Sequence, residues 1–317
     1  MAAVLDAHVR GDLIALRTSG TTGRARSVVR TTDSWFDSFD HVTGLLDMDA
    51  ASTMWVPGPL SATMNLFAAV HAADLGARLV PGAAAASHAV LTPAALSRAL
   101  AQGVDLSGVH VLVAGDRLGP ELRDTALAHG ASRVSHYYGA AELSFVAWGS
   151  HSEDLRPFPG VELECREGVV WVRSPYLCLG YDGTDGHLSR DPEGFATVGD
   201  RGELRDSSLR LRGRTDDVVV TAGATVLVAD VEAALDRATG HSVAVLGLPH
   251  RDLGEVVCGV VTDRAALASL RAAAREVLDP PQRPRRWFEV RTLPLTAAGK
   301  LDREALLQQL VSAESTR

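Results

Sequence analysis

The sequence predicts an α/β protein, in which buried strands and helices alternate before the chain changes to short antiparallel strands. Residues 109–114 form a largely apolar run that predicts a buried strand, and a helix is predicted from Pro120 to its end at Gly130. Residues 83–100 are rich in alanine and are predicted to be helical. From Glu162 onward, short alternating strands between Pro, Gly and Asp residues indicate a small antiparallel region. Alternating strands and helices favour a layered α/β domain.

The chain is long enough for two domains. Its 317 residues are 46% apolar and 22% charged, which suits a globular protein of about two domains. A charged turn from Gly213 to Asp217 precedes a further set of strands and helices. We therefore predict a large domain at 1–213 and a small domain at 214–317.

The composition argues against several classes of partner and location. The net charge is −8 and no long basic run occurs, so neither nucleic acid nor an anionic membrane is an expected partner. No apolar run approaches the ~20 residues needed to cross a bilayer. Residues 1–12 lack the pattern of a secretion signal, so a cytoplasmic location is expected. The three cysteines are far apart and fit neither a disulfide framework nor a zinc motif.

The chain contains a single lysine, Lys300, and all its other basic side chains apart from histidine are arginines. Its richness in Ala, Arg, Gly and Val suggests a coding bias that replaces lysine wherever arginine serves. A position that keeps lysine therefore points to a need for a compact, mobile ammonium group. On composition alone, chance survival near a tolerant C-terminus explains Lys300 as well as a functional role does.

The loop after the first predicted strand, at residues 13–16, suits a polyphosphate. Its glycines let backbone N–H groups converge on an anion, its hydroxyl groups add donors, and Arg24 or Arg26 adds positive charge. The loop lacks the Gly-Lys-Ser/Thr ending of a Walker loop, and taken alone it is also explained as a flexible polar turn. Its residues are Thr18, Ser19, Gly20, Thr21, Thr22 and Gly23.

Two carboxylates follow predicted strands at positions suited to a bound nucleotide. Glu142 comes shortly after Tyr138 and Gly139, and Mg²⁺ prefers one or two carboxylates together with phosphate oxygens. Asp200 lies on a turn, where a carboxylate can accept two hydrogen bonds from a ribose. Taken alone, Glu142 is more often a solvated surface charge and Asp200 a turn cap.

In this order and at this spacing, the segments resemble the motifs of the ANL superfamily of adenylate-forming enzymes, over almost the whole chain from residue 13. The resemblance implies an ANL-type α/β fold with a shortened large N-terminal domain and a small, mobile α+β C-terminal domain. Residues 18–28 resemble the phosphate loop of this family, residues 113–118 its adenine-lining strip and residues 137–142 its aromatic-Gly-x-Thr-Glu motif. Residues 197–200 resemble its ribose motif, residues 214–217 its hinge and residues 293–300 its catalytic-lysine motif.

By this resemblance, the protein activates a small carboxylic acid in two half-reactions. The carboxylate attacks the α-phosphate of ATP and releases pyrophosphate, and an acceptor, usually the thiol of coenzyme A, then displaces AMP. Lys300 would bridge the carboxylate and the α-phosphate, Glu142 would bind Mg²⁺, and Arg26 would hold the β- and γ-phosphates together with the loop. Lys300, Glu142 and Arg26 are therefore the expected catalytic residues.

The resemblance also implies residues that hold the nucleoside and allow the domains to move. Asp216 would be the hinge, and Gly223 would let the thiol donor approach the site. The residues expected to bind the nucleotide besides the phosphate loop are Ala114, Gly115, Asp116, Tyr138, Gly139, Asp200 and Arg214.

Several departures from the family pattern leave alternatives open. Arg26 stands in place of the usual lysine, Ala141 in place of the motif threonine, and Thr225 where an arginine is expected. One alternative keeps adenylation but changes the acceptor to a carrier-protein thiol, an amine or nitrite. Another is a degenerate member that binds nucleotide without turnover, although the presence of Lys300 and Glu142 argues against it.

The front of the chain also departs from the family pattern. Family members usually carry a long segment before the phosphate loop, whereas 17 residues precede Thr18 here. We expect a homodimer or a separately encoded partner to cover the surface that this segment covers in relatives. The alternative is a monomer whose sheet closes with polar residues.

Overall fold

The computed structural model of the protein describes residues 1–18, 26–183, 186–214, 218–296 and 299–315. The helices in these ranges are α1 (Ala2–Arg10), α2 (Asp33–Phe36), α3 (Phe39–Leu46), α4 (Thr63–Asp74), α5 (Pro93–Ala101), α6 (Pro120–Ala128), α7 (Val228–Thr239), α8 (Leu267–Val277) and α9 (Arg303–Ser315). The strands up to residue 157 are β1 (Leu13–Thr18), β2 (Arg26–Thr31), β3 (Thr53–Trp55), β4 (Arg78–Val80), β5 (His88–Leu91), β6 (His110–Ala114), β7 (Arg133–Ala140), β8 (Ser144–Gly149) and β9 (Arg156–Pro157). The later strands are β10 (Glu162–Arg166), β11 (Val169–Arg173), β12 (Gly180–Tyr181), β13 (Ser189–Arg190), β14 (Ala196–Thr197), β15 (Asp200–Arg205), β16 (Ser208–Arg214), β17 (Val218–Thr221), β18 (Ala224–Leu227), β19 (Ala244–His250), β20 (Gly254–Val261) and β21 (Arg286–Glu289).

A seven-stranded sheet with the order β4-β3-β5-β6-β7-β8-β9 forms the centre of the first part of the chain. The strands from β4 to β7 run parallel, whereas β8 and β9 are antiparallel additions. All residues of β5 and β6 are buried, as expected where helices cover both faces of a parallel sheet. Because β6 and β7 are parallel neighbours, their carboxyl ends meet at one edge, where α/β proteins commonly bind ligands.

The expectation that residues 83–100 form one helix is wrong. The structure places β5 inside this stretch and begins α5 only at Pro93, after Thr92 caps the helix by accepting the N–H of Ala95 at 3.1 Å. The four residues of β5 are buried on both faces, so they show no alternation of polar and apolar side chains. A short buried strand of this kind cannot be distinguished from helix by periodicity alone.

Two further sheets contain the antiparallel pairs β1–β2, β2–β12, β10–β11, β11–β14 and β13–β14. One has the order β1-β2-β12, and the other has the order β13-β14-β11-β15-β16 with β10 paired to β11. The predicted change to short antiparallel strands after Glu162 is therefore confirmed.

A five-stranded sheet organises the last part of the chain, in the order β18-β17-β20-β19 with β21 parallel to β20. Its two faces have separate cores, because neighbouring residues of a strand point to opposite sides. Val245 packs in the core of α7 and α8, whereas Leu246 packs in the core of α9.

The chain divides into two compact units. The first comprises Met1–Val198, Glu203–Arg210 and Thr296–Lys300, and the second comprises Gly199–Gly202, Leu211–Leu295 and Leu301–Arg317. The segment that ends in Lys300 thus belongs to the first unit, although the residues on both sides of it belong to the second.

Candidate active site

A β-hairpin places the two ends of the predicted phosphate loop side by side. Strands β1 and β2 pair antiparallel, with Thr18 opposite Arg26. Ile14, Leu16 and Val28 are buried and fix the hairpin to the protein. Ser19, Gly20, Thr21, Thr22 and Gly23 lie outside the described residues, so their predicted role in phosphate binding stays a prediction. The structure places Arg26 at the start of β2, half-buried and engaged with neighbouring groups.

The predicted adenine strip begins where the buried strand β6 ends. Ala114 is its last residue and is fully buried, whereas Asp116 is exposed and accepts the N–H of Arg117 at 2.8 Å. Gly115 between them has φ of +90°, which favours glycine. A Cβ atom at Gly115 would lie 3.5 Å from Cε of Lys300. The structure therefore brings together Gly115 and Lys300, which the sequence singled out separately.

Backbone hydrogen bonds join the described residues of the segment that carries Lys300. The N–H of Thr296 donates to the carbonyl of Lys300 at 2.8 Å, and the N–H of Gly299 donates to the carbonyl of Thr296 at 2.8 Å. The hydroxyl group of Thr92 donates to the carbonyl of Gly299 at 3.2 Å, so the N-cap of α5 also holds the lysine loop. Thr92 lies 207 residues from its partner, and nothing in the sequence marks it as part of the site.

A buried histidine, His136 on β7, supports the adenine strip from within the first unit. Its Nδ1 lies 2.9 Å from the carbonyl of Val113, and because a carbonyl only accepts, Nδ1 carries the proton. The hydroxyl group of Ser152 then donates to Nε2 over 3.1 Å and accepts the N–H of Leu118 at 2.7 Å. Burial lowers the pKa of His136 to about 4, so the imidazole is neutral at pH 7. Sequence reasoning missed this residue.

Glu142 lies in the loop between β7 and β8 and is half-buried. The phenol of Tyr181 donates a hydrogen bond to Oε1 of Glu142 at 2.9 Å. Among the described residues, no group of three or more His, Cys, Asp or Glu side chains could hold a metal ion by itself. This donor set fits Mg²⁺ held by one carboxylate and nucleotide phosphates rather than by a protein cage.

The two other residues of this motif have clear structural roles. Tyr138 is buried in β7, where the register to β8 shifts between Tyr138 and Gly139. A Cβ at Gly139 would lie 2.1 Å from the carbonyl oxygen of Ser144, so this irregularity in the ladder requires glycine. Their predicted contacts with the nucleotide stay predictions.

A small apolar cavity of about 10 Å³ lies among α3, α4 and the central sheet, with room for about one water molecule. Among the described residues, the cavity wall contains no Asp, Glu, Lys or Arg and one imidazole, that of His71. His71 bonds through Nε2 to the hydroxyl group of Thr43 at 2.8 Å, and burial lowers its pKa to about 4. The cavity is lined by Val42, Leu46, Met54, Met64, Phe67, Ala68, His71, Val90, Leu112, Tyr137 and Phe145.

Comparison with known proteins identifies the family of this chain. Residues 230–300 match the model of the AMP-binding enzyme C-terminal domain. The chain is 31% identical to the salicyl-AMP ligase / salicyl-S-ArCP synthetase of Mycobacterium tuberculosis, over 94% of this chain and 61% of that one. It is 27% identical to an uncharacterized acyl-CoA ligase, YhfT, of Bacillus subtilis, over 92% of this chain and 67% of that one. The chain belongs to the ANL superfamily of adenylate-forming enzymes. The expected family is therefore confirmed, and this chain is an AMP-forming ligase.

The ANL fold is also found by comparison of structures. The ATP-bound structure of MatB from Rhodopseudomonas palustris superposes with a TM-score of 0.79 and 21% identity, over 93% of this chain and 67% of that one. The predicted fold class is thus confirmed. The ANL chain spans about two thirds of the length of these three relatives.

The second unit of the ANL chain carries the remaining predicted residues. Asp200 begins β15, is half-buried and engages neighbouring groups. Arg214 ends β16, but its side chain and all of Asp216 lie outside the described residues. Gly223 has φ of +83° and, with Ala222 at +51°, forms the two-residue turn between β17 and β18, as in a type I′ hairpin. None of the helices in the described ranges is long and apolar enough to cross a membrane.

Proposed function

We propose that the chain uses ATP to activate a small carboxylic acid as its acyl-AMP, releasing pyrophosphate, and then transfers the acyl group to coenzyme A. The observation that carries this proposal is the position of Lys300, whose Cε lies within 3.5 Å of the site of a Cβ on Gly115. A mobile ammonium group thereby lies at the carboxyl end of β6, where the strip that follows would receive the adenine. Acid-dependent exchange of labelled pyrophosphate into ATP tests the first half-reaction.

In that half-reaction, a carboxylate oxygen forms a bond to the α-phosphorus while the bond to the β-phosphate oxygen breaks. The ammonium group of Lys300 lies between the two anions and offsets their repulsion as the transition state forms. Arg26 and the hydroxyl groups of Thr18 and its loop hold the leaving pyrophosphate. Mg²⁺, held by Glu142 and the phosphates, would supply further positive charge.

The small apolar cavity has room for about one water molecule, so its apolar and aromatic side chains must move apart to admit an acid. The aromatic rings of Phe67, Tyr137 and Phe145 suit an aryl or a short acyl group.

A carrier-protein thiol is the second candidate acceptor. The relative from Mycobacterium tuberculosis, which is 31% identical to the chain, is named a salicyl-S-ArCP synthetase, and this name motivates the candidate. Gly223 lies on an exposed turn in the second unit, and among the described residues other than its chain neighbours no atom lies within 4 Å of an added Cβ, which suits approach of either thiol. Assays with coenzyme A and with a phosphopantetheinylated carrier protein distinguish the two acceptors.

Substitution of Glu142 by glutamine is expected to raise the Mg²⁺ concentration needed for half-maximal pyrophosphate exchange by ~10–100-fold. Glutamine keeps the shape of the side chain and removes the charge that attracts the cation. Magnesium titrations of the variant and the parent measure the shift. Superimposable titration curves would mean that Glu142 is not a ligand of the ion.

Substitution of Asp216 by proline is expected to impair one half-reaction more than the other. Proline fixes φ near −65°, so it would hold a hinge in one of its two states. Pyrophosphate exchange reports the first half-reaction, and thioester formation from supplied acyl-AMP reports the second. Equal losses of rate in both half-reactions would indicate misfolding. No loss in either would mean that Asp216 is not the hinge.

A further inference from the structure

Strand β12 connects the phosphate hairpin to the loop of Glu142. Tyr181 pairs with Val28 on β2, the strand that follows the phosphate loop. Just before β12, the N–H of Cys178 donates to the backbone carbonyl of Glu142 at 2.8 Å. The segment around Tyr181 is therefore fixed both to β2 and to Glu142 by backbone hydrogen bonds.

The beginning of the same segment is held by Arg30, a fully buried cation. Its Nη2 donates to the carbonyl of Tyr176 at 2.5 Å, and its Nε donates to the hydroxyl group of Ser34 at 3.0 Å. Burial lowers the pKa of Arg30 to about 10, and the nearby Cys178 and Glu142 act in the opposite direction. The backbone that leads to Tyr181 is thus anchored at the core, which limits the positions available to its ring.

Two hydrogen bonds fix the direction in which the phenol O–H of Tyr181 points. Its oxygen accepts the N–H of His187 at 3.3 Å and donates its proton to Oε1 of Glu142 at 2.9 Å. Burial and the charge of Glu142 raise the pKa of Tyr181, so the group stays a donor at neutral pH. The ring occupies the space beside Gly186, where an added Cβ would lie 1.7 Å from Cε2 of Tyr181.

We propose that Tyr181 is a positioning residue, which holds the carboxylate of Glu142 by occupying Oε1 and leaves the second oxygen for the magnesium ion of the bound nucleotide. This inference rests on the proposed role of Glu142 in the adenylation reaction. A carboxylate on a flexible Glu side chain has several rotamers, and a hydrogen bond to one oxygen selects among them. Groups that orient a metal ligand in this way affect metal affinity without touching the metal.

The test is the Mg²⁺ dependence of ATP binding, measured by isothermal titration calorimetry on the full chain, beside the Mg²⁺ dependence of pyrophosphate exchange. Tyr181→Phe removes one oxygen atom and is expected to raise the Mg²⁺ concentration for half-maximal ATP binding by ~10-fold. Gly186→Ala displaces the ring of Tyr181 without altering its chemistry and is expected to shift the same concentration in the same direction. The matched control is Tyr176→Phe, because its phenol donates to the carbonyl of Pro159 at 3.0 Å rather than to a carboxylate.

A double variant separates positioning from a general structural effect. If Tyr181 acts through Glu142, adding Tyr181→Phe to Glu142→Gln causes no further shift in Mg²⁺ dependence. Either of two results overturns the role of Tyr181 alone. In the first, the shift in Mg²⁺ dependence caused by Tyr181→Phe adds in full to the shift caused by Glu142→Gln. In the second, Tyr181→Phe keeps the parental Mg²⁺ dependence whereas Glu142→Gln shifts it. A parental Mg²⁺ dependence in Glu142→Gln overturns the proposed role of Glu142 and that of Tyr181 with it.

Discussion

Replacement of Lys300 by alanine is expected to slow acyl-adenylate formation by ~10²–10³-fold, the usual cost of losing a preorganised charge at the reacting centre. The backbone of Lys300 bonds to Thr296 and that of Gly299 bonds to Thr92, and neither bond involves the ammonium group. Transfer from supplied acyl-AMP is expected to stay near the parental rate, because the α-phosphate bond to pyrophosphate has already broken. Pyrophosphate exchange and thioester formation measure the two steps separately.

Two further variants show whether the effect belongs to the lysine itself. Lys300→Arg keeps the charge but replaces a compact ammonium by a planar guanidinium, and we expect it to stay impaired by at least ~10-fold. Arg291→Ala removes an exposed cation from the preceding segment and should leave adenylation unchanged. Near-parental exchange in Lys300→Ala would contradict the assigned role.

Acidification from pH 7 to pH 5 is expected to lower the free energy of unfolding by about 2 kcal/mol for each of three buried histidines. Burial lowers the pKa values of His71, His110 and His136 from 6.5 to about 4. Above pH 6.5 these imidazoles are neutral in both the folded and the unfolded chain. Between pH 6.5 and pH 4 the unfolded chain takes up protons that the folded chain does not, so stability falls as pH falls through this window.

Denaturant unfolding at a series of pH values between 7 and 5 measures this slope, in a range above the titration of most carboxylates. His136→Gln should reduce the slope of the unfolding free energy against pH by the equivalent of about one proton taken up on unfolding, because the amide keeps a donor and an acceptor but does not titrate. The exposed His241→Gln serves as the matched control and should leave the slope unchanged. A parental slope in His136→Gln would mean that His136 does not contribute to the acid sensitivity.

The parts of the fold that follow from local pattern were predictable from the sequence. The buried strand at 109–114 and the change to short antiparallel strands after Glu162 are confirmed. The strand β5 was not predictable, because four buried residues beside an alanine-rich helix carry no periodic signal of their own. The structure resolves this ambiguity through the parallel pairing of β5 with β3 and β6.

In the candidate site too, residues in local motifs could be predicted, whereas residues that depend on distant partners could not. Lys300 and Glu142 could be singled out from the sequence because each lies in a short motif with a recognisable chemistry, and their roles stay predictions. Thr92, His136 and Tyr181 were missed, since each acts through a partner distant in the sequence, 39 residues away for Tyr181 and Glu142. No local pattern distinguishes a tyrosine that holds a carboxylate from one that fills the core.

Exchange of labelled pyrophosphate into ATP, measured over a panel of small acids with and without Mg²⁺, tests the central claim most directly. We expect exchange that requires both Mg²⁺ and an acid, is strongest with acids that carry an aryl or a short acyl group, and is slowed by ~10²–10³-fold in Lys300→Ala. Folded, ATP-binding protein that gives no exchange above background with any acid would contradict the claim and identify the chain as a nucleotide-binding member without turnover.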